Sequence, residues 1–301
     1  MRSLREGNTA KPSNFRLYSL ISLMVFFWSL NFIIAKVALR EFPPLLLSCL
    51  RTSAAAAFIT PLYYWRSRKR ATTWTRQDVP ALLLLGIFGV ALNQVFFVAG
   101  ISRTSVGHSA LMIGLTPVMV LVIAAAAGME RITGRKLLGM TIAVLGVAVL
   151  HLSPAKTAGA SFAGDVWVLL AALAFAVFTV GGKGVAKRHD SLTVNTFAYL
   201  GGALALAPLT VYHGWGFPYA SLSWQAWVAL VYMAAFSSVL CYMIFYYALT
   251  HIPASRVSAF SYLQPLLATL MAAPLLGENI SGGLAAGGAL ILAGVYLTER
   301  G

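Results

Sequence analysis

Ten stretches of the chain are apolar over about 20 residues each, with short polar punctuation between them. They lie near 17–39, 44–65, 79–100, 105–128, 134–152, 163–186, 192–213, 223–250, 254–276 and 281–298. A helix rises about 1.5 Å per residue and the hydrocarbon core is about 30 Å thick, so each stretch has the length of a membrane-crossing helix. The runs are continuous and lack the ten-residue alternation of a barrel strand. A helix also satisfies its backbone groups internally, as lipid demands. The pattern predicts an all-α polytopic membrane protein with ten transmembrane helices. The first run follows a basic leader (Arg2, Arg5, Lys11, Arg16) and resembles a signal peptide. It is too long for one, and Ile34-Ala35-Lys36 is a poor cleavage site, so it is read as an uncleaved first span.

Composition agrees. Of 301 residues, 59% are hydrophobic and 10% charged, too few charges to clothe a soluble enzyme or keep a chain disordered. The net charge of +14 raises the question of nucleic acid, and the placement of the charges answers it. One side of the expected topology holds Arg2, Arg5, Lys11, Arg16, Arg66, Arg68, Lys69, Arg70, Arg76, Arg131, Arg135, Lys136, Lys183, Lys187, Arg188, Arg256 and Arg300. The other holds Lys36, Arg40, Arg103 and Lys156, and Arg51 alone falls inside a span. The positive-inside rule then places both termini in the cytoplasm (N-in/C-in). The 66–70 cluster is expected to touch anionic lipid headgroups, and no nucleic-acid partner is expected.

The two halves match at a nearly constant offset: Lys36 with Lys183, Pro61 with Pro208, Phe97 with Phe245, Pro117 with Pro265, and Glu130 with Glu278. Gly134, Gly139 and Gly146 fall on Gly282, Gly287 and Gly294, and Thr133 meets Ser281, both at helix N-caps. Each half holds five spans. Five is odd, so the second half must enter from the opposite side, giving two inverted five-helix repeats of the kind that supports alternating access. The expected domains are a cytoplasmic segment 1–16, a first repeat 17–152, a linker 153–162, a second repeat 163–298 and a tail 299–301. With both halves in one chain, a monomer suffices.

These features resemble the drug/metabolite transporter superfamily in its ten-helix form with two EamA-type domains, and its amino-acid exporters in particular. The resemblance rests on Phe27-Trp28-Ser29-Leu30-Asn31-Phe32 with Lys36, Arg51, Leu115-Thr116-Pro117, Leu263-Gln264-Pro265, and Glu130 and Glu278. It covers nearly the whole chain and implies export or exchange of small metabolites across a bacterial-type inner membrane. The second half departs from the pattern, with Phe175-Ala176-Val177-Phe178 where the first has Trp28–Asn31.

Polar side chains inside spans are costly unless they line a cavity or bond internally. The candidate cavity set is Trp28, Asn31, Arg51, Asn93, Gln94, Phe97, His108, Met112, Thr116, Phe178, Ser238, Tyr242, Tyr246, Ser258, Ser261, Tyr262 and Gln264. Helical spacing gathers these into stripes: His108–Met112–Thr116, and Ser238–Tyr242–Tyr246. Mixed aromatic and amide stripes suit a ligand with an apolar body and a polar head. Two readings stand for Asn31, Asn93 and Gln94, cavity lining or interhelical hydrogen-bond glue, and two for Tyr242 and Tyr246, cavity lining or core. Arg51 either snorkels to the interface or meets a substrate carboxylate. His108 is a proton carrier or a structural histidine. Pro117 and Pro265 are expected to kink spans 4 and 9 as matched gate elements. Cys49 and Cys241 read as small buried hydrophobes.

None of the eight acids falls in mid-span, so the usual ion-coupling carboxylate is missing. No catalytic, cofactor or metal motif appears. The expectation is a small-molecule transporter, not an enzyme, with amino acids as the first substrate class and weak or no ion coupling. A multidrug or nucleotide-sugar carrier is the second reading, and an intramembrane enzyme a remote third.

Overall fold

A computed structural model of the chain describes residues 13–68, 74–104, 106–151, 161–276 and 283–301. Residues 1–12 of the N-terminal segment, Lys69 and Arg70, Lys156 with nearly all of the 153–162 linker, Glu278 and Ser281 lie outside the described residues, as does the side chain of His108. Among the described residues all regular structure is helical, grouped in ten rods. The first five are α1 (Asn14–Ala38), α2 (Pro44–Ser67), α3 (Val79–Ile101), α4 (Val106–Ile113 continued by Thr116–Ala126) and α5 (Gly134–His151). The second five are α6 (Phe162–Ala186), α7 (Ser191–Gly214), α8 (Trp224–His251), α9 (Ala254–Ala259 continued by Leu263–Leu276) and α10 (Gly283–Arg300). Six of them, α1, α2, α3, α6, α7 and α8, are single rods long and apolar enough to cross a membrane.

Helix starts follow local chemistry. Ser13, Ser161 and Ser223 place a hydroxyl on the backbone N–H three residues on, and Pro44 opens α2 where its missing N–H costs nothing. The Thr133 hydroxyl accepts from Lys136 N at 3.2 Å, ahead of α5.

Packing repeats with the halves exchanged. Helix α3 lies on α6 as α8 lies on α1, α4 on α6 as α9 on α1, and α3 on α7 as α8 on α2. The remaining principal contacts pair equivalent helices, α2 with α7, α4 with α9 and α5 with α10. The α5–α10 seam is made of glycine. A Cβ at Gly294 would stand 2.5 Å from the Gly139 carbonyl oxygen, and one at Gly146 2.8 Å from that of Gly287, so the backbones touch where any side chain would part them. Single side chains obey the same symmetry: Lys36 Nζ donates to the Thr104 carbonyl at 2.7 Å, and its counterpart Lys183 to the Ile252 carbonyl at 2.7 Å.

Three departures from regular α geometry break the simple reading of ten uniform spans. Helix α4 is interrupted at Gly114-Leu115, and α9 passes through a tighter 3-10 turn at Phe260–Tyr262. The expected kinks therefore exist as interruptions just before Pro117 and Pro265, which stand in the first turn of the helix that resumes. A proline clashes with the carbonyl four residues back and cannot donate to it, so the break falls upstream of the ring. The third departure is unforeseen: α3 and α8 each contain a widened π segment, Ile87–Leu92 and Met233–Leu240, at equivalent places in the two halves.

Glu130 ties the halves together at one end of the bundle. Its carboxylate accepts from Ser255 N at 3.2 Å, from the Ser255 hydroxyl and from Lys136 Nζ at 3.0 Å. Burial alone would raise its pKa, but the hydrogen bonds from Ser255 and Lys136 outweigh it and hold the carboxyl below the usual range. A lowered folded pKa contributes stability that is full above the unfolded value and lost as pH falls through the folded one. Glu130→Gln is therefore expected to cost about 3 kcal/mol near neutral pH. The gap in melting temperature from the native protein should close as pH drops below the ordinary carboxylate range; a constant gap would contradict this account.

Candidate functional site

The departures from α geometry surround one cavity. It is lined by Trp28, Asn31 and Phe32 of α1, Arg51 of α2, Asn93, Gln94 and Phe97 of α3, and Ile113 and Thr116 of α4. Phe175 of α6, Tyr242 of α8, and Ser261 and Gln264 of α9 complete it. Both halves contribute. The space open to the centres of water-sized molecules is about 70 Å³, or some five water positions at about 10–15 Å³ each.

Ten of the residues anticipated from sequence meet here: Trp28, Asn31, Arg51, Asn93, Gln94, Phe97, Thr116, Tyr242, Ser261 and Gln264. The others with described side chains lie elsewhere, His108 being outside the described side chains. Tyr246 and Phe178 are fully buried in the main core, their rings 5.4 Å apart. Tyr262 is buried in a separate core cluster with Leu121 and Met140. Ser258 turns its hydroxyl back to the Ser255 carbonyl at 3.0 Å, and Ser238 stands behind the wall, accepting from Arg51 Nε at 3.1 Å. Met112 is half-buried and off the lining. The reason is the α4 interruption: a stripe extrapolated from 112 to 116 assumes an unbroken helix, and the break brings Ile113 to the cavity.

Phe32, Ile113 and Phe175 were not anticipated. Phe32 and Ile113 are each one residue from a candidate, so only the exact helix rotation could find them. Phe175 was discoverable, because the internal repeat sets it opposite Trp28.

The wall combines amides, hydroxyls and one cation with aromatic rings. Trp28, Phe175, Tyr242 and Phe245 interlock with ring centroids 5.1–6.5 Å apart, the edge-on and tilted geometry favoured by aromatic quadrupoles. Gly89 leaves room for this packing, since a Cβ there would stand 1.9 Å from the Phe178 ring. Several polar groups are committed to backbone. Trp28 Nε1 donates to the Ser237 carbonyl at 3.0 Å, and the Tyr242 hydroxyl to the Gly89 carbonyl at 2.9 Å. Asn93 Nδ2 donates to the Ala171 carbonyl at 3.0 Å, so this amide both joins α3 to α6 and faces the cavity. Asn195, behind the wall, donates to Val239 at 3.0 Å. Gly89, Ser237 and Val239 all lie in the π segments.

Arg51 does not snorkel. It is 2% exposed, with Nε on Ser238 and Nη1 without a partner among the described residues. Cys49 and Cys241 are free thiols, both buried.

A multi-pass helical bundle with an interior cavity shared by two equivalent halves defines a membrane transporter. The chain belongs to the EamA-like transporter family, whose model matches residues 16–152 and again 162–300, within the drug/metabolite transporter superfamily. It is 30% identical to an uncharacterized transporter of Archaeoglobus fulgidus, over 93% of this chain and 97% of that one. It is 29% identical to a probable terminal-alkyne amino-acid exporter of Streptantibioticus cattleyicolor, over 92% and 91% of the two chains. It is 27% identical to a probable amino-acid metabolite efflux pump of Salmonella typhimurium, over 93% of each. A solved crystal structure superposes with a TM-score of 0.74 at 20% identity, over 95% of this chain and 96% of that one, which shows the fold alone.

Two tyrosines separate cavity chemistry from packing. Tyr242→Phe leaves the Gly89 carbonyl without its donor and is expected to cost about 1–2 kcal/mol of stability. Tyr246→Phe removes a hydroxyl that has no partner among the described residues and should cost less. Thermal melting of both variants checks this; equal losses would contradict the assignment.

Proposed function

We propose that the cavity carries small amphipathic metabolites, amino acids first among them, and that the protein exports or exchanges them by alternating access. The observation that carries the reading is the cavity itself: a small space shared by both halves and lined by amides, a cation and aromatic rings. Such a wall hydrogen-bonds a polar head and packs an apolar side chain. Two relatives bearing amino-acid exporter or efflux names support the substrate class. The basic-residue bias supports cytoplasmic termini beside anionic headgroups, the family a bacterial-type inner membrane, and the internal duplication a chain working as a monomer. Among the described residues the cavity wall contains no carboxylate, and the reading is accordingly of transport with weak or no ion coupling.

Counterflow in proteoliposomes tests the reading. Labelled amino acids should accumulate transiently against an unlabelled internal pool, while cationic dyes and nucleotide sugars should not. An imposed pH gradient should fail to drive uphill accumulation. Exchange of dyes with no amino acid would favour the multidrug reading, and proton-driven accumulation would refute the uncoupled mechanism.

A further inference from the structure

Arg51 presents an electrostatic problem that the fold leaves unsolved. A guanidinium buried in a membrane bundle needs a counter-charge or a full set of acceptors. Its five N–H donors meet one described acceptor, the Ser238 hydroxyl on Nε, and Nη1 is buried with none. The described acids with resolved side chains are all engaged elsewhere. Glu41 holds Ser223, Asp78 holds Thr75, Glu130 holds Lys136 and Ser255, Asp165 accepts from Thr104, and Asp190 from Thr193. Nη1, part of the fork end that grips a carboxylate through two parallel bonds, is thus buried and unpartnered on a residue that lines the cavity.

A second orphan of opposite character lines the same cavity. Asn31 Oδ1 is a buried acceptor without a partner among the described residues. It repels a carboxylate and suits an ammonium, and the rings of Trp28, Phe175 and Tyr242 on the same cavity are of the kind that attracts a cation. One donor cation and one acceptor, both unsatisfied and both on one small cavity, describe a ligand carrying the complementary pair.

We propose that Arg51 binds the carboxylate and Asn31 the ammonium of a zwitterionic α-amino acid, with its side chain against Phe32, Phe97 and Ile113. The inference rests on the cavity being the transport site and adds which end of the ligand is indispensable. The carboxylate is, because it neutralises a charge the protein cannot. An amine lacking it would set a second cation beside Arg51, whereas an acid lacking the ammonium forgoes only a neutral acceptor. Arg51 is thus a specificity-determining residue that selects against cationic ligands.

The test is competition in reconstituted native protein. The twenty amino acids are first screened for counterflow. The best of them is then set against its deaminated carboxylic acid, its decarboxylated amine, and chloride. The acid should compete measurably, while the amine should compete roughly ten- to hundredfold more weakly than the amino acid. Chloride at equal concentration should have no effect. Arg51→Gln should erase the preference for amino acid over amine, and Arg51→Lys should retain part of it. A merely structural role would lower activity without changing that ratio. An amine that competes as well as the amino acid overturns the proposal while leaving the cavity reading intact. Competition by chloride equal to that by the carboxylic acid also overturns it, making the site one for small anions. Failure of all twenty amino acids to exchange removes the functional reading and the proposal with it. If the Arg51 variants do not fold, the native-protein competition decides alone.

Discussion

A backbone carbonyl inside a membrane bundle has no solvent to receive a hydrogen bond from, and this constraint shapes everything around the cavity. Uniform α-helices meet it automatically but pack into a solid. A cavity requires helices that break or widen, and each such place releases carbonyls that need other donors. Here the donors are side chains from neighbouring helices. Tyr242 serves Gly89, Trp28 serves Ser237, and Asn195 serves Val239. At the rod ends Lys36 and Lys183 serve Thr104 and Ile252. Residues that look like a binding site in sequence are thus partly the scaffold that lets a site exist.

The two halves meet the constraint alike and then diverge. The π segments, the interruptions before Pro117 and Pro265, and the lysine–carbonyl bonds are duplicated. The cavity wall is not: Trp28 and Asn31 have Phe175 and Phe178 as counterparts, and Arg51 has Ala198 at the matching place in α7. The duplicated features build a frame that treats both sides of the bundle equally. The unduplicated ones make the cavity wall differ between the halves.

Hydrophobic run length alone located the helical rods, because a bilayer imposes that length on any crossing segment. The small-residue seam was equally legible: glycines recurring at matched positions in α5 and α10 fit only close backbone approach. Ten of the anticipated cavity residues face one space because intramembrane polarity is expensive enough to be informative. Where the reading went astray, the cause was local geometry. Met112 and Ile113 exchanged roles because the stripe assumed that α4 continued past Gly114. Tyr246 and Tyr262 went into packed cores, since a tyrosine's ring is as useful there as its hydroxyl is at a wall. The π segments carried no signal in residue type, as they depend on tertiary donors that only the assembled bundle supplies. Arg51 was visible as a charge in a span, but its burial depends on the packing of α2 against α8, whose Ser238 accepts from its Nε.

The central claim is that one cavity, shared by the halves, is reached in turn from each side of the membrane. Thiol labelling tests it most directly. With Cys49 and Cys241 replaced by alanine, a single cysteine is placed at Thr116 and challenged with a membrane-impermeant reagent from either side of sealed vesicles. The account predicts modification from both sides, slowed from both by the transported amino acid. Modification from one side only, or from neither, with no protection by ligand, would contradict it.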